Sequence, residues 1–155
     1  MQDSTDELVF LPLGGCYEIG MNLNAYGYGP AGNRRWIIVD VGVTFGKDDT
    51  PGIDLICADP SYLHGEMIDA IFLTHAHEDH IGALGLLLGR LGQAPLYATP
   101  FTAHIIRGKL EERGWDDAHV NEVSLGARVD VGPFEVQYVT LTHSIPEPNA
   151  LAITT

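Results

Sequence analysis

The sequence contains few cysteines and few basic residues. Its two cysteines, Cys16 and Cys57, are far apart and form no C-x-x-C pair, so neither a disulfide framework nor a cysteine zinc knuckle is indicated. We expect small buried or half-buried thiols. The 8 Lys and Arg residues stand against 21 Asp and Glu residues, which gives a formal net charge of −13. This charge disfavours nucleic-acid binding unless metal ions or further chain supply positive charge, because phosphate backbones are usually met by an excess of Lys and Arg.

Long hydrophobic runs are also missing. No apolar stretch approaches the roughly 20 residues that cross a bilayer, and the segment 1–7 lacks the basic-then-apolar order of a signal peptide. We therefore predict a cytoplasmic protein with no membrane partner. Hydrophobic residues make up 45% of the chain and charged residues 19%, which is typical of a globular domain. The length of 155 residues suits one domain or part of one.

Segments typical of strands alternate with segments typical of helices. A helix is predicted after Asp79 and a second one from Thr99, as its N-cap, to Gly114. The first helix should bury an apolar face made of Ile81, Leu84, Leu87, Leu88 and Leu91. Runs rich in β-formers predict strands at 8–13, 22–28, 35–39, 68–73, 96–98, 121–125, 128–131, 134–141 and 150–155. This order predicts a layered α/β (α+β) sandwich.

The densest cluster of metal-ligand residues lies between a predicted buried strand and a predicted helix. The segment 74–80 reads THAHEDH and holds three imidazoles and two carboxylates, which are groups that suit Zn²⁺. A turn at this place can direct His75 and His77 to one side and Asp79 with His80 to the other, so one loop could serve two metal ions. The spacing differs from the H-E-x-x-H motif of zinc proteases, which disfavours that class.

Three further groups of candidates lie outside this loop. His143 follows the predicted strand 134–141, which could bring its imidazole to the same edge of the sheet. Asp40 also follows a strand and could hydrogen-bond a ligand imidazole, although a cap or turn role stays open. A structural Ca²⁺ site or a solvated acidic loop could be formed by Asp48, Asp49 and Asp54, and we favour the loop. We interpret His64, His104 and His119 as surface residues.

Four stretches of the sequence resemble a known family. The H-x-H-x-D-H pattern at 75–80 is the signature of the metallo-β-lactamase superfamily. Three other stretches resemble its ribonuclease J family, a member of the β-CASP branch: GGCYEIGMN at 14–22, DVG at 40–42 followed by GIDL at 52–55, and THSIP at 142–146. The resemblance extends over nearly the full chain.

This resemblance implies a fold and a metal site. The fold would be an αββα sandwich, of which residues 1–155 are the first half, without the remainder of the domain and the β-CASP insertion. His75, His77 and His143 would bind one metal ion, and Asp79 and His80 would bind the other. Asp40 would hydrogen-bond a metal-binding imidazole without binding the metal itself. Two Zn²⁺ ions are implied, with Mn²⁺ left open, and the nucleophile would be a hydroxide bound to the metals beside Asp79. The family also uses a bridging carboxylate and another histidine farther along the chain.

The resemblance also implies an activity. RNA would be the substrate, and its phosphodiester bonds would be hydrolysed internally or from the 5′ end during RNA processing and decay. One alternative is a hydrolase of a small ester, thioester or lactam, which the same metal loop would serve and the net charge would suit better. Another is an inactive metal-binding half-domain. A homo-oligomer of the full-length protein stays open.

Overall fold

A computed structural model describes residues 5–155, which form one six-stranded sheet, one three-stranded sheet and a small hairpin. Residues 1–4, which belong to the segment 1–7 that lacks a signal-peptide pattern, lie outside this described part. In chain order the strands are β1 (Glu7–Gly14), β2 (Leu23–Gly29), β3 (Arg35–Val39), β4 (Val43–Phe45), β5 (Leu55–Cys57), β6 (Met67–Phe72), β7 (Leu96–Ala98), β8 (Val120–Glu122), β9 (Arg128–Val131), β10 (Phe134–Thr140) and β11 (Asn149–Thr154).

The six-stranded sheet has the order β1-β2-β3-β6-β7-β8. Its first three strands pair antiparallel, and β3, β6, β7 and β8 pair parallel. Strands β3 and β6 are nearly continuous apolar runs because both faces of the sheet are covered at this place. The three-stranded sheet is antiparallel, in the order β11-β10-β9. All nine predicted strands are therefore present, with small shifts at their ends.

The helices confirm the predicted burial but not the predicted continuity. The segment after His77 forms two single turns, α1 (Glu78–Ile81) and α2 (Leu84–Leu87), followed by a 3-10 turn, Leu88–Leu91. One continuous helix was expected, so this prediction was partly wrong. The predicted apolar face, Ile81 and the four leucines, is buried, with at most 4% of any of these side chains exposed.

Backbone hydrogen bonds explain why the helix is interrupted. In a continuous helix the Ala83 N–H would donate to the Asp79 carbonyl. The Ala83 N–H instead donates to the Val41 carbonyl, and the Asp79 carbonyl accepts from the Asn22 N–H. The metal-loop backbone is thus bonded to two neighbouring segments, and helical pairing cannot pass through it.

The second predicted helix is a regular one, α3 (Pro100–Glu112). Thr99 occupies the expected N-cap position, but its side chain makes no capping hydrogen bond. The acceptor at this helix end is the Glu147 carboxylate, which lies 2.8 Å from the Phe101 N–H. The predicted N-cap position of Thr99 is therefore confirmed, but the capping acceptor comes from a distant segment of the chain and not from Thr99.

The short hairpin β4–β5 was not predicted. Each of its strands has three residues, and the two pair across a loop rich in Gly and Asp. Runs of this length give no usable periodicity. The hairpin lies beside the metal loop, where β4 contacts α1.

Two apolar cores separate three layers. One core lies between the helices and the six-stranded sheet and includes Ile38, Ile71, Leu84 and Ile106. The other lies between the two sheets and includes Phe72 and Tyr138. The order helix, sheet, sheet confirms the expected metallo-β-lactamase-like αββα architecture for three of its four layers. In the described residues no helix is long and apolar enough to cross a membrane.

Candidate metal centre

Three histidines from two distant parts of the chain meet at one edge of the large sheet. His75 follows β6, His77 precedes α1, and His143 lies in the connection between β10 and β11. One ring nitrogen from each lies within 4.8 Å of the others, and His143 Nε2 is 3.1 Å from His77 Nδ1. The structure therefore brings together the three side chains that the sequence assigned to one metal ion.

Asp79 and His80 form a second pair beside these histidines. His80 Nε2 lies 3.3 Å from Asp79 Oδ2. The His80 ring is also close to the first group, with its centroid 4.0 Å from that of His75. Two neighbouring groups of ligand atoms are thus present, in the division that the sequence predicted.

Asp40 lies behind both groups and is buried. Its Oδ2 is 2.7 Å from His80 Nδ1, while its Oδ1 accepts a 2.8 Å hydrogen bond from the Thr74 N–H. A carboxylate only accepts, so His80 Nδ1 carries the hydrogen, and in the neutral ring Nε2, beside Asp79, offers the lone pair. The hydrogen bond expected between Asp40 and a ligand imidazole is therefore present.

Thr74 extends this arrangement to His75. Its hydroxyl donates to Asp40 Oδ2 over 2.8 Å and lies 2.9 Å from His75 Nδ1. Because the hydroxyl hydrogen is committed to Asp40, the His75 Nδ1–H must donate to Thr74. One carboxylate thus selects, for both imidazoles in their neutral form, the tautomer whose Nε2 carries the lone pair.

The protonation of the two imidazoles differs. Burial, and then the neighbouring His80, lower the pKa of His75 to about 4. Burial also acts to lower the pKa of His80, but the hydrogen bond and charge of Asp40, with the charge of Asp79, raise it above its ordinary value. His75 is therefore neutral at physiological pH, which is the form that binds metal ions.

The donor set fits a divalent transition metal. His75 Nε2 is buried and has no hydrogen-bond partner among the residues that the structure describes, although buried polar atoms are normally satisfied. In a tetrahedral zinc site with Zn–N bonds of 2.0–2.1 Å, ligand nitrogens lie roughly 3.3 Å apart. The separation of 3.1 Å between the His77 and His143 nitrogens is close to this value.

Two residues without a predicted role hold the metal loop in place. Asn22 donates to the Asp79 carbonyl through its backbone N–H over 2.9 Å and through Nδ2 over 3.0 Å. At Gly42, any Cβ would lie 1.6 Å from the same carbonyl oxygen, so only glycine permits this approach. Both residues belong to stretches quoted above for the family resemblance, which was the available signal.

The remaining candidates stay outside the cluster. His64, His104 and His119 are exposed, as expected, and so are Asp48, Asp49 and Asp54. Within residues 5–155, His75, His77 and His143 form the one group of three or more ligand residues close enough to hold a metal ion. This geometry does not support a calcium site at the acidic loop. Cys57 is half-buried as expected, but Cys16 is exposed, as are the residues 17–19 that follow it.

Comparison with known proteins gives the family. Residues 24–144 match the sequence family described as the metallo-beta-lactamase superfamily. The chain belongs to the metallo-β-lactamase superfamily. This membership implies the use of divalent metal ions.

Curated relatives of this superfamily member are ribonucleases J. The chain is 50% identical over 153 residues to ribonuclease J of Sinorhizobium meliloti, with 97% of this chain and 27% of the relative covered. It is 39% identical over 153 residues to ribonuclease J 1 of Streptococcus pyogenes, with 97% and 26% covered. The predicted resemblance is therefore confirmed. The chain spans about a quarter of the length of these relatives.

Solved structures of low sequence identity share the fold. A protein of unknown function from Enterococcus faecalis superposes with a TM-score of 0.64 at 20% identity, covering 96% of this chain and 41% of that one. The metallo-β-lactamase fold protein YhfI of Bacillus subtilis gives a TM-score of 0.58 at 18% identity, covering 96% and 58%. These likenesses support the fold assignment alone.

Proposed function

We propose that this chain carries metal-binding residues of a metal-dependent ribonuclease that hydrolyses RNA phosphodiester bonds, internally or from the 5′ end. The observation that carries the proposal is the meeting of His75, His77 and His143 beside the Asp79–His80 pair. The ribonuclease J relatives, 50% identical in the first case, support RNA as the substrate. Cytoplasmic location and a homo-oligomer of the full-length protein stay predictions.

The proposed ligands are divided between two zinc ions. His75, His77 and His143 would hold one, and Asp79 and His80 would contribute to the other, with Mn²⁺ as the alternative metal because carboxylate is among the ligands. When bound, the metals supply Lewis acidity that activates water and offsets the charge on the phosphate. The protein contributes orientation: Asp40 and Thr74 direct an imidazole lone pair towards each group.

A second candidate is hydrolysis of a small ester, thioester or lactam. The formal net charge of −13 favours it, because an acidic protein repels a polyanion. The metal ligands are the same for both candidates, so the substrate has to be tested directly.

The proposal predicts that His77→Ala or Asp79→Ala in the natural full-length protein abolishes metal-dependent RNA cleavage while the fold remains. Loss of one strong electrostatic stabiliser commonly costs on the order of a hundredfold to a thousandfold in rate. Cleavage of labelled RNA, with and without chelator, and turnover of thioester and lactam substrates would be measured beside circular dichroism.

His104→Ala, in an exposed position on α3, is the matched control and should cleave RNA as the unaltered protein does. Cleavage of RNA that persists in chelator would rule out the mechanism. Turnover of a small substrate without RNA cleavage would favour the second candidate. Metal binding without any turnover would favour an inactive metal-binding half-domain.

A further inference from the structure

Helix α3 contacts both segments that carry the candidate metal ligands. Near its start, the Phe101 N–H donates to Glu147, which lies in the connection that carries His143. About two turns later, Lys109 Nζ lies 2.5 Å from Glu78 Oε1, and Glu78 stands between two candidate ligands in the metal loop. At 1.5 Å per residue, these contacts are roughly 12 Å apart along the helix axis. One helix thus joins two segments whose histidines have to meet.

The metal loop has little regular structure of its own. The turn α1 is a single one, and its N-cap residue His77 makes no capping hydrogen bond through its side chain. Single turns are not stable alone, because helix nucleation is unfavourable. Backbone hydrogen bonds tie this turn to Asn22 and Val41, beside β2 and β3, while the Glu78 side chain ties it to α3. The orientation of the turn therefore depends on contacts with neighbouring elements.

Helix α3 is itself held firmly. Its residues Ile106 and Leu110 are buried in the core between the helices and the large sheet. The Arg113 side chain packs on Gly85, where a Cβ would lie 2.7 Å from Arg113 Cγ. Trp115 Nε1, just after the helix, donates to the Gly85 carbonyl over 2.9 Å. The C-terminal half of α3 therefore packs on the segment that follows the metal loop.

The Glu78 carboxylate is directed to α3 rather than to the candidate ligands. Among the described residues, Glu78 is not part of the group close enough to hold a metal ion. Its Oε1 is paired with Lys109, and a Cβ at Gly82 would lie 2.8 Å from its Oε2. The side chains of Glu78 and Lys109 are 45% and 34% exposed. An ion pair at this exposure contributes little to overall stability, so its effect has to be sought locally.

We infer that Lys109 is a positioning residue of the metal centre and acts through Glu78. The ion pair ties the metal loop to the helix that also holds the segment of His143, so the three histidines keep the spacing that a metal ion needs. The inference rests on the proposed metal site, and it does not depend on RNA as the substrate.

Lys109→Met in the natural full-length protein separates this role from a simple effect of charge. If charge alone acts, removal of a cation near a metal site should raise the affinity for zinc, because like charges repel. Loss of a positioning contact should lower the affinity, and we expect a decrease of about twofold to fivefold, as for a half-exposed ion pair. Titration against a competing chelator would measure it. Lys109→Arg, which keeps the charge, should restore the affinity.

Arg107→Met is the matched control. Arg107 lies on the same helix, but its half-exposed ion pair joins Glu122 of β8, so the zinc affinity should not change. The absorption spectrum of the cobalt(II)-loaded protein, which is sensitive to ligand geometry, should change in Lys109→Met and not in Arg107→Met. Lys109→Met added to Glu78→Gln should cause no further loss of zinc affinity, since both substitutions remove the same interaction.

Three outcomes would overturn the inference. An unchanged or raised zinc affinity in Lys109→Met would show that the ion pair does not position the metal loop, while the metal site itself stands. Equal losses in Lys109→Met and Arg107→Met would indicate general damage to α3. Absence of zinc binding by the unaltered protein would overturn the metal site together with the inference.

Discussion

Asp40 is the residue on which most of the site geometry depends. It has a φ of +62°, a left-handed conformation that costs about 1 kcal/mol or more for a residue other than glycine. Its buried carboxylate accepts from the Thr74 backbone, the Thr74 hydroxyl and the His80 ring. The backbone conformation and the hydrogen bonds support each other, since the bonds hold the residue where the chain turns from β3 to β4.

Asp40→Asn is expected to weaken metal binding more than it weakens the fold. The amide is nearly isosteric, but its NH₂ group can face His80 Nδ1 only if that nitrogen gives up its hydrogen, and His80 Nε2 then loses its lone pair. Loss of such a supporting partner typically costs tenfold to a hundredfold in metal affinity. Zinc titration by calorimetry would measure it, with Asp48→Asn in the exposed loop as control. Equal zinc affinities for both variants would show that Asp40 does not orient His80.

Gly42→Ala is expected to destabilise the protein, because the added Cβ would lie 1.6 Å from the Asp79 carbonyl oxygen. Overpacking of this kind costs roughly 1–3 kcal/mol of unfolding free energy. Gly108→Ala is the matched control, since nothing lies within 4 Å of a Cβ at this helical position. That control should gain roughly 0.5–1 kcal/mol. Urea unfolding of both variants would settle the prediction, and similar midpoints would contradict it.

Among the elements, the connection between β10 and β11 determines where His143 lies. It is anchored at two points: Glu147 accepts from the Phe101 N–H at the start of α3, and Asn149 donates to the Thr74 carbonyl through both its N–H and its Nδ2. A negative charge at a helix N-terminus is favourable. The helix start and the metal loop thus both constrain the segment that carries His143.

Glu147→Ala is therefore expected to lower zinc affinity while costing only about 1 kcal/mol of unfolding free energy. The cause is greater freedom of the loop that carries His143, so Glu147→Gln, which keeps the acceptor, should recover most of the affinity. Glu112→Ala, at the opposite end of α3, is the control. It should lower neither the zinc affinity nor the unfolding free energy. Zinc titration and urea unfolding of the same samples would be compared. Unaltered zinc affinity in Glu147→Ala would show that the anchor does not hold His143.

The elements also show what the sequence could reveal. Strands such as β3 and β6 were predictable because their apolar runs are long enough to be recognised in the sequence. The candidate ligands between His75 and His80 were predictable because they are nearly consecutive. The interrupted helix, the hairpin β4–β5 and the capping of α3 by Glu147 were not. Each depends on a hydrogen bond or strand pair between distant segments, which local periodicity and capping rules do not contain.

For the whole molecule, layer order and charge act together on function. The site lies at the edge of the large sheet where β3 and β6 end, which is the usual position for ligands in open α/β sheets. The formal net charge of −13 opposes the approach of polyanions to the molecule. Bound divalent ions would oppose that charge locally, so the proposed function predicts that metal occupancy and RNA affinity rise together.

The proposed function predicts that a polypeptide of residues 1–155 binds metal but cleaves RNA far more slowly than the full-length protein. The ligands His75, His77 and His143 are all present in it, so zinc at a hundredfold excess over its dissociation constant should stabilise the fold by about 2.7 kcal/mol. By its resemblance to ribonuclease J, a bridging carboxylate and another histidine would be missing, and the acidic charge would still repel RNA. Thermal unfolding with and without zinc would test the first expectation, with His75→Ala as the variant that should lose the stabilisation. Labelled-RNA assays of both polypeptides, each with and without chelator, would test the second. Equal cleavage rates would show that the metal ligands within these 155 residues are sufficient for catalysis.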